Sequence, residues 1–168
     1  TAFIADSVGT GVIEKCAAYA AREHGDARRA LELLRVAGEI SEREGEKTVK
    51  IEHIDKAEEK IERDRVVDIV RTQPKQQQVA LLAILTLAKN RKDSIYTGEV
   101  YDVYKQLCDK IGLRPLTQRR VSDVIAELDM LGIINARVIS KGRFGRTREI
   151  TVAIPPTIKP KIITIMEQ

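Results

Sequence analysis

The feature that most limits what this chain can fold into is an ordered series over residues 75–154. Three segments of helical periodicity are followed by two strand-like runs around a basic, glycine-containing loop. KQQQVALLAILTLAKN (75–90) is apolar on most sides, which predicts a buried central helix. In SIYTGEVYDVYKQLCDKIG (94–112), Val100, Val103, Tyr104, Leu107 and Ile111 recur at helical spacing, with Thr97 as the expected N-cap and Gly112 as the stop. In RPLTQRRVSDVIAELDMLG (114–132), Thr117 is the expected cap and Val121, Val124, Ile125, Leu128 and Leu131 form the apolar stripe. IINARVIS (133–140) and TREITVAI (147–154) have the composition of strands, and SKGRFGRTRE bridges them. Three helices and then a β-hairpin is the order of a winged helix-turn-helix domain.

The first half reads as a second, all-helical domain. GVIEKCAAYAAREH (11–24) places Val12, Ile13, Cys16, Ala17, Tyr19 and Ala20 at helical spacing before Gly25. Asp26 is a good N-cap for a second helix, whose apolar stripe is expected at Ala27, Ala30, Leu31, Leu34 and Ala37. A third helix is expected from about residue 52 to 71, with Ile54, Ala57 and Ile61 facing inward. Pro74, within RTQPKQQQ (71–78), should end one helix or start the next. The expected division is therefore 1–72 and 73–168, and the fold class is mainly α.

Charge separates the same halves. Residues 1–72 hold 13 Lys+Arg against 16 Asp+Glu, whereas residues 73–168 hold 16 against 9. The second half has the charge expected of a domain that meets an anionic polymer. The apolar run VALLAILTLA spans residues 79–88 and falls well short of the about 20 residues that cross a bilayer, so no membrane association is expected. Cys16 and Cys108 stand far apart in helical segments, which argues against a disulfide framework or metal cluster and for buried thiols in a reducing cytosol. The opening TAFIADSVGTG has neither an initiator Met nor a signal-peptide pattern, as expected for a piece of a longer protein.

On the third helix of the second half, Arg119 lies nearly opposite the apolar stripe, with Ser122, Asp123 and Ala126 on the same outer face. Gln118 and Arg120 flank it. Donors at the start of such a helix, Thr117 included, suit the base edges and phosphates of a major groove. An ordinary Arg119–Asp123 pair on a solvated face is the alternative. In the loop, Lys141, Arg143, Arg146 and Arg148 meet no carboxylate until Glu149. A wing tip can approach the backbone or minor groove, where inserted arginine is attracted by concentrated negative potential. Gly142 and Gly145 permit close approach, and Phe144 either packs beneath the tip or wedges at a sugar. In the first half, the charge pattern alone leaves Arg28, Arg29 and Arg35 solvated or paired with Glu32 and Glu39. Arg28, at the start of a helix, could instead reach a phosphate.

AAREHGDARRALELLRVAGEI (20–40) resembles the sensor-2 region in the lid of AAA+ ATPases, specifically the archaeal origin-recognition and cell-division-control replication initiators. TQRRVSDVIAELDMLGIINARVISKGRFGRTREI (117–150) resembles the winged helix of the same family, and the likeness spans most of residues 15–152. The resemblance implies that Arg28, the arginine of the GDxR word, points at the terminal phosphates of a nucleotide in the full-length parent. It also implies that Thr117, Gln118, Arg119, Arg120 and Ser122, with Lys141, Gly142, Arg143, Phe144 and Arg146 of the wing, bind double-stranded origin DNA. The implied parent is an archaeal, cytoplasmic, nucleoid-associated ATPase that uses ATP or ADP with Mg. Its implied partners are the replicative minichromosome-maintenance helicase, which it helps load, and other initiator subunits.

No G-x-x-x-x-G-K-[ST] word occurs in the sequence, so this chain by itself is expected to lack ATP hydrolysis and to carry no cofactor. A transcriptional regulator is a competing reading, which the lid-like first half opposes. A winged helix that docks a helicase or a sister subunit is another, since the architecture alone does not imply DNA.

Overall fold

In the computed structural model, residues 7–22, 25–89, 91, 93–140, 142 and 146–166 are described. They form helices α1 (Val12–Arg22), α2 (Ala27–Arg43), α3 (Ile51–Thr72), α4 (Lys75–Lys89), α5 (Thr97–Lys110), α6 (Gln118–Met130) and α7 (Lys159–Met166). Strands β1 (Ile95–Tyr96), β2 (Ile134–Ser140) and β3 (Arg146–Val152) make one antiparallel sheet of order β1-β3-β2. The chain divides into two compact units, Thr1–Arg65 and Val66–Gln168. The division thus falls inside α3, upstream of the expected junction at residue 72, because Val67 and Val70 belong to the second core.

In the first unit, α1, α2 and the start of α3 enclose Val12, Cys16, Leu33, Val36, Ala37, Val49, Ile54 and Ala57. Asp26 caps α2 as expected, its carboxylate accepting the Arg28 N–H at 2.9 Å. The buried face of α2 keeps Ala37, Ala30 and Leu34 of the expected stripe but is centred elsewhere. Leu33, Val36 and Ala37 turn inward, while Ala27 is exposed and Leu31 is 67% exposed. Apolar residues cover most of this helix's circumference, and the face chosen also buries Ser41, whose hydroxyl donates toward the carbonyls of Glu46 and Thr48 at 3.2 and 3.3 Å. Residues 7–9 are tied in by backbone: Gly9 N–H donates to Val49 O at 2.9 Å, and Val49 N–H to Ser7 O at 2.8 Å. A Cβ at Gly9 would sit 2.8 Å from Val49 O, so only glycine allows this approach.

In the second unit, α4 supplies Val79, Ala80, Leu81, Ala83, Ile84 and Leu85 to the core, as expected of a central helix. α6 contributes Val121, Val124, Ile125 and Leu128. Full burial of one such side chain is worth about 1.5–3 kcal/mol. Tyr104 locks the turn between α5 and α6: its hydroxyl donates to Gln76 Oε1 and accepts the Leu116 N–H at 3.0 Å. Burial pushes the Tyr104 phenol up to about 12. Cys16 and Cys108 are both buried free thiols, and burial raises their pKa.

Two elements go beyond the sequence reading. β1 pairs Ile95 with Ile150 and Tyr96 with Glu149, adding a third strand beside the hairpin. α7 buries Ile162 and Met166, and Ile158 just before it is buried too, in a tail to which the sequence assigned no role. β1 also moves the cap of α5. Tyr96 is extended (φ −112°, ψ 151°) and is the N-cap, with its N–H bonded to Glu99 Oε2 at 3.0 Å. Thr97 is therefore already helical, and its hydroxyl accepts the Arg148 N–H at 3.2 Å instead of capping.

Candidate nucleic-acid interface

The hairpin makes one face with two characters. Opposed residues of an antiparallel pair share a face, and side chains alternate along each strand. Along the inner face the register runs Ile134–Val152, Ala136–Ile150, Val138–Arg148, Ser140–Arg146. Ile134 and Ile150 are buried, Val138 is 52% exposed, and Arg146 is exposed. The face that is core near the helices becomes cationic where the hairpin passes beyond them.

That cationic end overlooks the start of α6. Thr117 caps α6 with its hydroxyl, which accepts the Arg120 N–H at 3.3 Å. Gln118, Arg119 and Arg120 are exposed in the first turn, and Ser122 is half-buried one turn on. A concavity of about 660 Å³ lies between these elements, lined by Thr97, Gly98, Gln118, Arg119, Ser122, Val138, Arg146, Thr147 and Arg148. Of the expected site residues it gathers Gln118, Arg119, Ser122 and Arg146. Thr117 and Arg120 border the same turn of α6 without lining it. Gly142 has φ 59° and open space around it, as a turn glycine requires. Lys141, Arg143 and Phe144 lie outside the described residues. The sequence reading missed Thr97, Gly98, Val138 and Thr147 as groove residues, and counted Arg148 only among the loop's cations. Thr97 and Gly98 join the groove just after β1, whose two-residue pairing with β3 offers no pattern to predict, while Val138, Thr147 and Arg148 reach it on the β2–β3 hairpin.

Among the described residues, Arg119, Arg146 and Arg148 have no acid partner for their side chains. The Arg119–Asp123 pair considered from spacing does not form; Asp123 instead lies 3.7 Å from Arg120. The groove is thus lined by uncompensated guanidinium groups, each a rigid donor fork suited to phosphate oxygens or a guanine edge.

The first unit treats its arginines differently. Arg29, 12% exposed at its side chain, reaches Glu32, Glu58 and Glu62 at 3.3, 3.0 and 3.1 Å, and Arg35 pairs with Glu39. Arg28 is exposed in the first turn of α2 and its side chain has no partner among the described residues. A second cluster joins Glu46, Glu52 and His53, whose ligand atoms lie within 4.8 Å of one another. His53 is fully buried and its Nδ1 accepts the Lys50 N–H at 2.9 Å, so the ring hydrogen sits on Nε2, 3.3 Å from Glu44 Oε2. Nε2 lies near Glu44 without a formed hydrogen bond among the described residues, and Lys50 and Lys56 already sit on Glu46 and Glu44 at 2.6 Å, so the carboxylates of the cluster are occupied by cations of the chain itself.

A helical lid followed by a winged helix is the class this fold defines. Residues 1–59 match the family model "Cdc6 AAA+ ATPase-type lid domain", and residues 68–159 match "CDC6, C terminal winged helix domain". The chain belongs to the Cdc6 family, to which the ORC1-type replication proteins of archaea also align. It is 61% identical over 146 residues to an ORC1-type DNA replication protein of Thermococcus onnurineus, covering 87% of this chain and 35% of that protein. It is 56% identical over 154 residues to ORC1-type DNA replication protein 7 of Halobacterium salinarum, covering 92% and 30%. A solved structure of the Aeropyrum pernix ORC1 protein in complex with DNA superimposes with TM-score 0.83 at 48% identity, over 94% of this chain and 41% of that one. The chain therefore spans about a third of the length of the curated relatives it matches. Among the described residues no helix is long and apolar enough to cross a membrane.

Proposed function

We propose that this chain is the duplex-DNA-binding part of an archaeal replication initiator, with α6 and the hairpin engaging origin DNA together. The observation that carries this reading is the groove between them, where Arg119, Arg146 and Arg148 face open space without acid partners among the described residues. Gln118, Arg119, Arg120 and Ser122, with the Thr117 cap behind them, supply donors for base edges and phosphates. Arg146, and by sequence Lys141, Gly142, Arg143 and Phe144, supply the wing contact. The Aeropyrum pernix relative, solved with DNA, supports the same reading at 48% identity.

For the whole protein, we propose a cytoplasmic ATPase that loads the replicative minichromosome-maintenance helicase alongside other initiator subunits. ATP with Mg would supply the phosphoryl group cleaved by water there, leaving bound ADP. Arg28 fits that role: it is exposed at a helix start with its side chain unpaired among the described residues, whereas Arg29 and Arg35 are held by acids. No phosphate cradle or Mg-holding acid is identified in the sequence of this chain.

Binding of the chain to duplex DNA across a salt series tests the proposal. Arg143→Ala and Arg146→Ala should each weaken binding to all sequences alike and reduce the log–log salt slope by about 0.9. Arg119→Ala or Arg120→Ala should lose discrimination between sites by about 1–3 kcal/mol where a bidentate base contact is removed. Absence of duplex binding at low salt would favour a protein-docking winged helix instead.

A further inference from the structure

Gly98 is unexplained by the fold. It occupies the second position of α5, where glycine is among the poorest helix formers. Its φ is not positive, so the backbone does not require glycine. A Cβ built on it meets nothing within 4 Å, so packing does not require glycine either. What distinguishes the position is its place on the wall of the groove that Arg119 and Arg148 also line.

The surroundings fix that wall. Thr97, 6% exposed, is tied to β3 by the Arg148 N–H at 3.2 Å, which holds the first turn of α5 against the strand that carries Arg148 and Arg146. Glu99, the acid next to Gly98, does not line the groove. Its carboxylate accepts the Tyr96 N–H at 3.0 Å and pairs with Arg91 at 2.5 Å, so no free acid beside Gly98 repels an anion. Val138, paired with Arg148 in the hairpin, stands exposed on the same groove and offers an apolar contact to a sugar or base.

We propose that Gly98 is a close-approach residue: one sugar–phosphate strand of the duplex lies directly against its backbone, between Arg148 and Arg119. The missing side chain sets how deeply the strand seats. This inference rests on the duplex-binding reading above and adds a residue that contributes by having no side chain.

The test uses the whole chain with a fluorescein-labelled duplex at low salt, comparing wild type, Gly98→Ala, Gly98→Leu and Arg119→Ala, each also melted thermally. The expected result is an unchanged or higher melting temperature for Gly98→Ala, with affinity lowered roughly tenfold, and a larger loss for Gly98→Leu. Wild-type affinity in both Gly98 variants, beside weakened binding by Arg119→Ala, would overturn the inference while leaving the duplex reading intact. A lowered melting temperature in both Gly98 variants would overturn it too, by giving the glycine a structural role. If wild type binds no duplex at low salt, the duplex reading fails and the inference with it.

Discussion

The lid and the winged helix both carry abundant arginine and lysine, and they dispose of that charge in opposite ways. In the lid, Arg29 is shared among Glu32, Glu58 and Glu62, Arg35 meets Glu39, and Lys15, Lys50 and Lys56 meet Asp55, Glu46 and Glu44. Lys15 and the Tyr19 hydroxyl together hold the Asp55 carboxyl below its usual range. In the winged helix, the guanidinium groups on the groove have no such partners among the described residues. An arginine held by half-buried acids, as Arg29 is, belongs to the fold, whereas an exposed one without a close acid partner is available to a ligand. The excess of basic residues after residue 73 gains meaning only because part of it is gathered on one groove.

If the two units hold separate cores, deep truncations should separate stability from binding. Leu128→Ala, in the α6 core, should cost about 2–5 kcal/mol and weaken duplex binding as α6 loses its seat. Leu33→Ala, equally buried in the lid, should cost a similar amount by thermal or denaturant unfolding yet leave duplex affinity unchanged. Equal loss of binding in both variants would break the comparison, because the lid would then share the DNA surface.

A smaller effect contrasts one polar anchor in each unit. Tyr104→Phe leaves the ring in place but removes the hydroxyl that bridges Gln76 and the Leu116 N–H, at a cost of about 1–3 kcal/mol. Alkali gives the same comparison without mutation. The folded phenol is raised to about 12, so its contribution is fully present below the ordinary tyrosine pKa and is lost as pH rises between the two values. Arg29→Ala in the lid removes the guanidinium that half-buried Glu58 and Glu62 share, with Glu62 keeping a longer contact to Arg65 at 3.7 Å, and should cost about 1–3 kcal/mol. Denaturant melts of the two variants check both. A neutral Arg29→Ala would mean that its acids are solvated well enough to do without it.

Much of this was legible in the sequence, for identifiable reasons. Asp26 and Thr117 could be named as caps because a short side-chain acceptor before an apolar period has one economical use. The face of α2 could not, because Leu31, Leu33 and Leu34 give three overlapping stripes and only the tertiary packing chooses among them. β1 is two residues long, below any periodicity, yet it decides that Tyr96 rather than Thr97 caps α5 and that Gly98 lies on the groove. The tail from residue 155 is rich in proline and β-branched residues, which disfavour a helix locally. α7 forms there because Ile158, Ile162 and Met166 fall four residues apart on one face and are buried together. The unpaired state of Arg119 was hidden for the same reason: Asp123 sits at a spacing that suits Arg119, and the folded chain aligns it with Arg120.

The smallest stability effect is expected at the residue with the largest proposed role elsewhere. Arg28→Ala removes an exposed side chain that is unpaired among the described residues, so the melting temperature of this chain should move by no more than about 0.5 kcal/mol allows. Arg35→Ala breaks only an exposed i,i+4 pair and should cost equally little. The two differ in the full-length parent. There Arg28→Ala should weaken nucleotide affinity or turnover, because a guanidinium at the start of a helix is placed to meet a phosphate, whereas Arg35→Ala, whose charge is already spent on Glu39, should leave both unchanged. Nucleotide affinity and turnover that stay unchanged in Arg28→Ala would return Arg28 to the solvated surface, beside Arg29 and Arg35 that acids already hold.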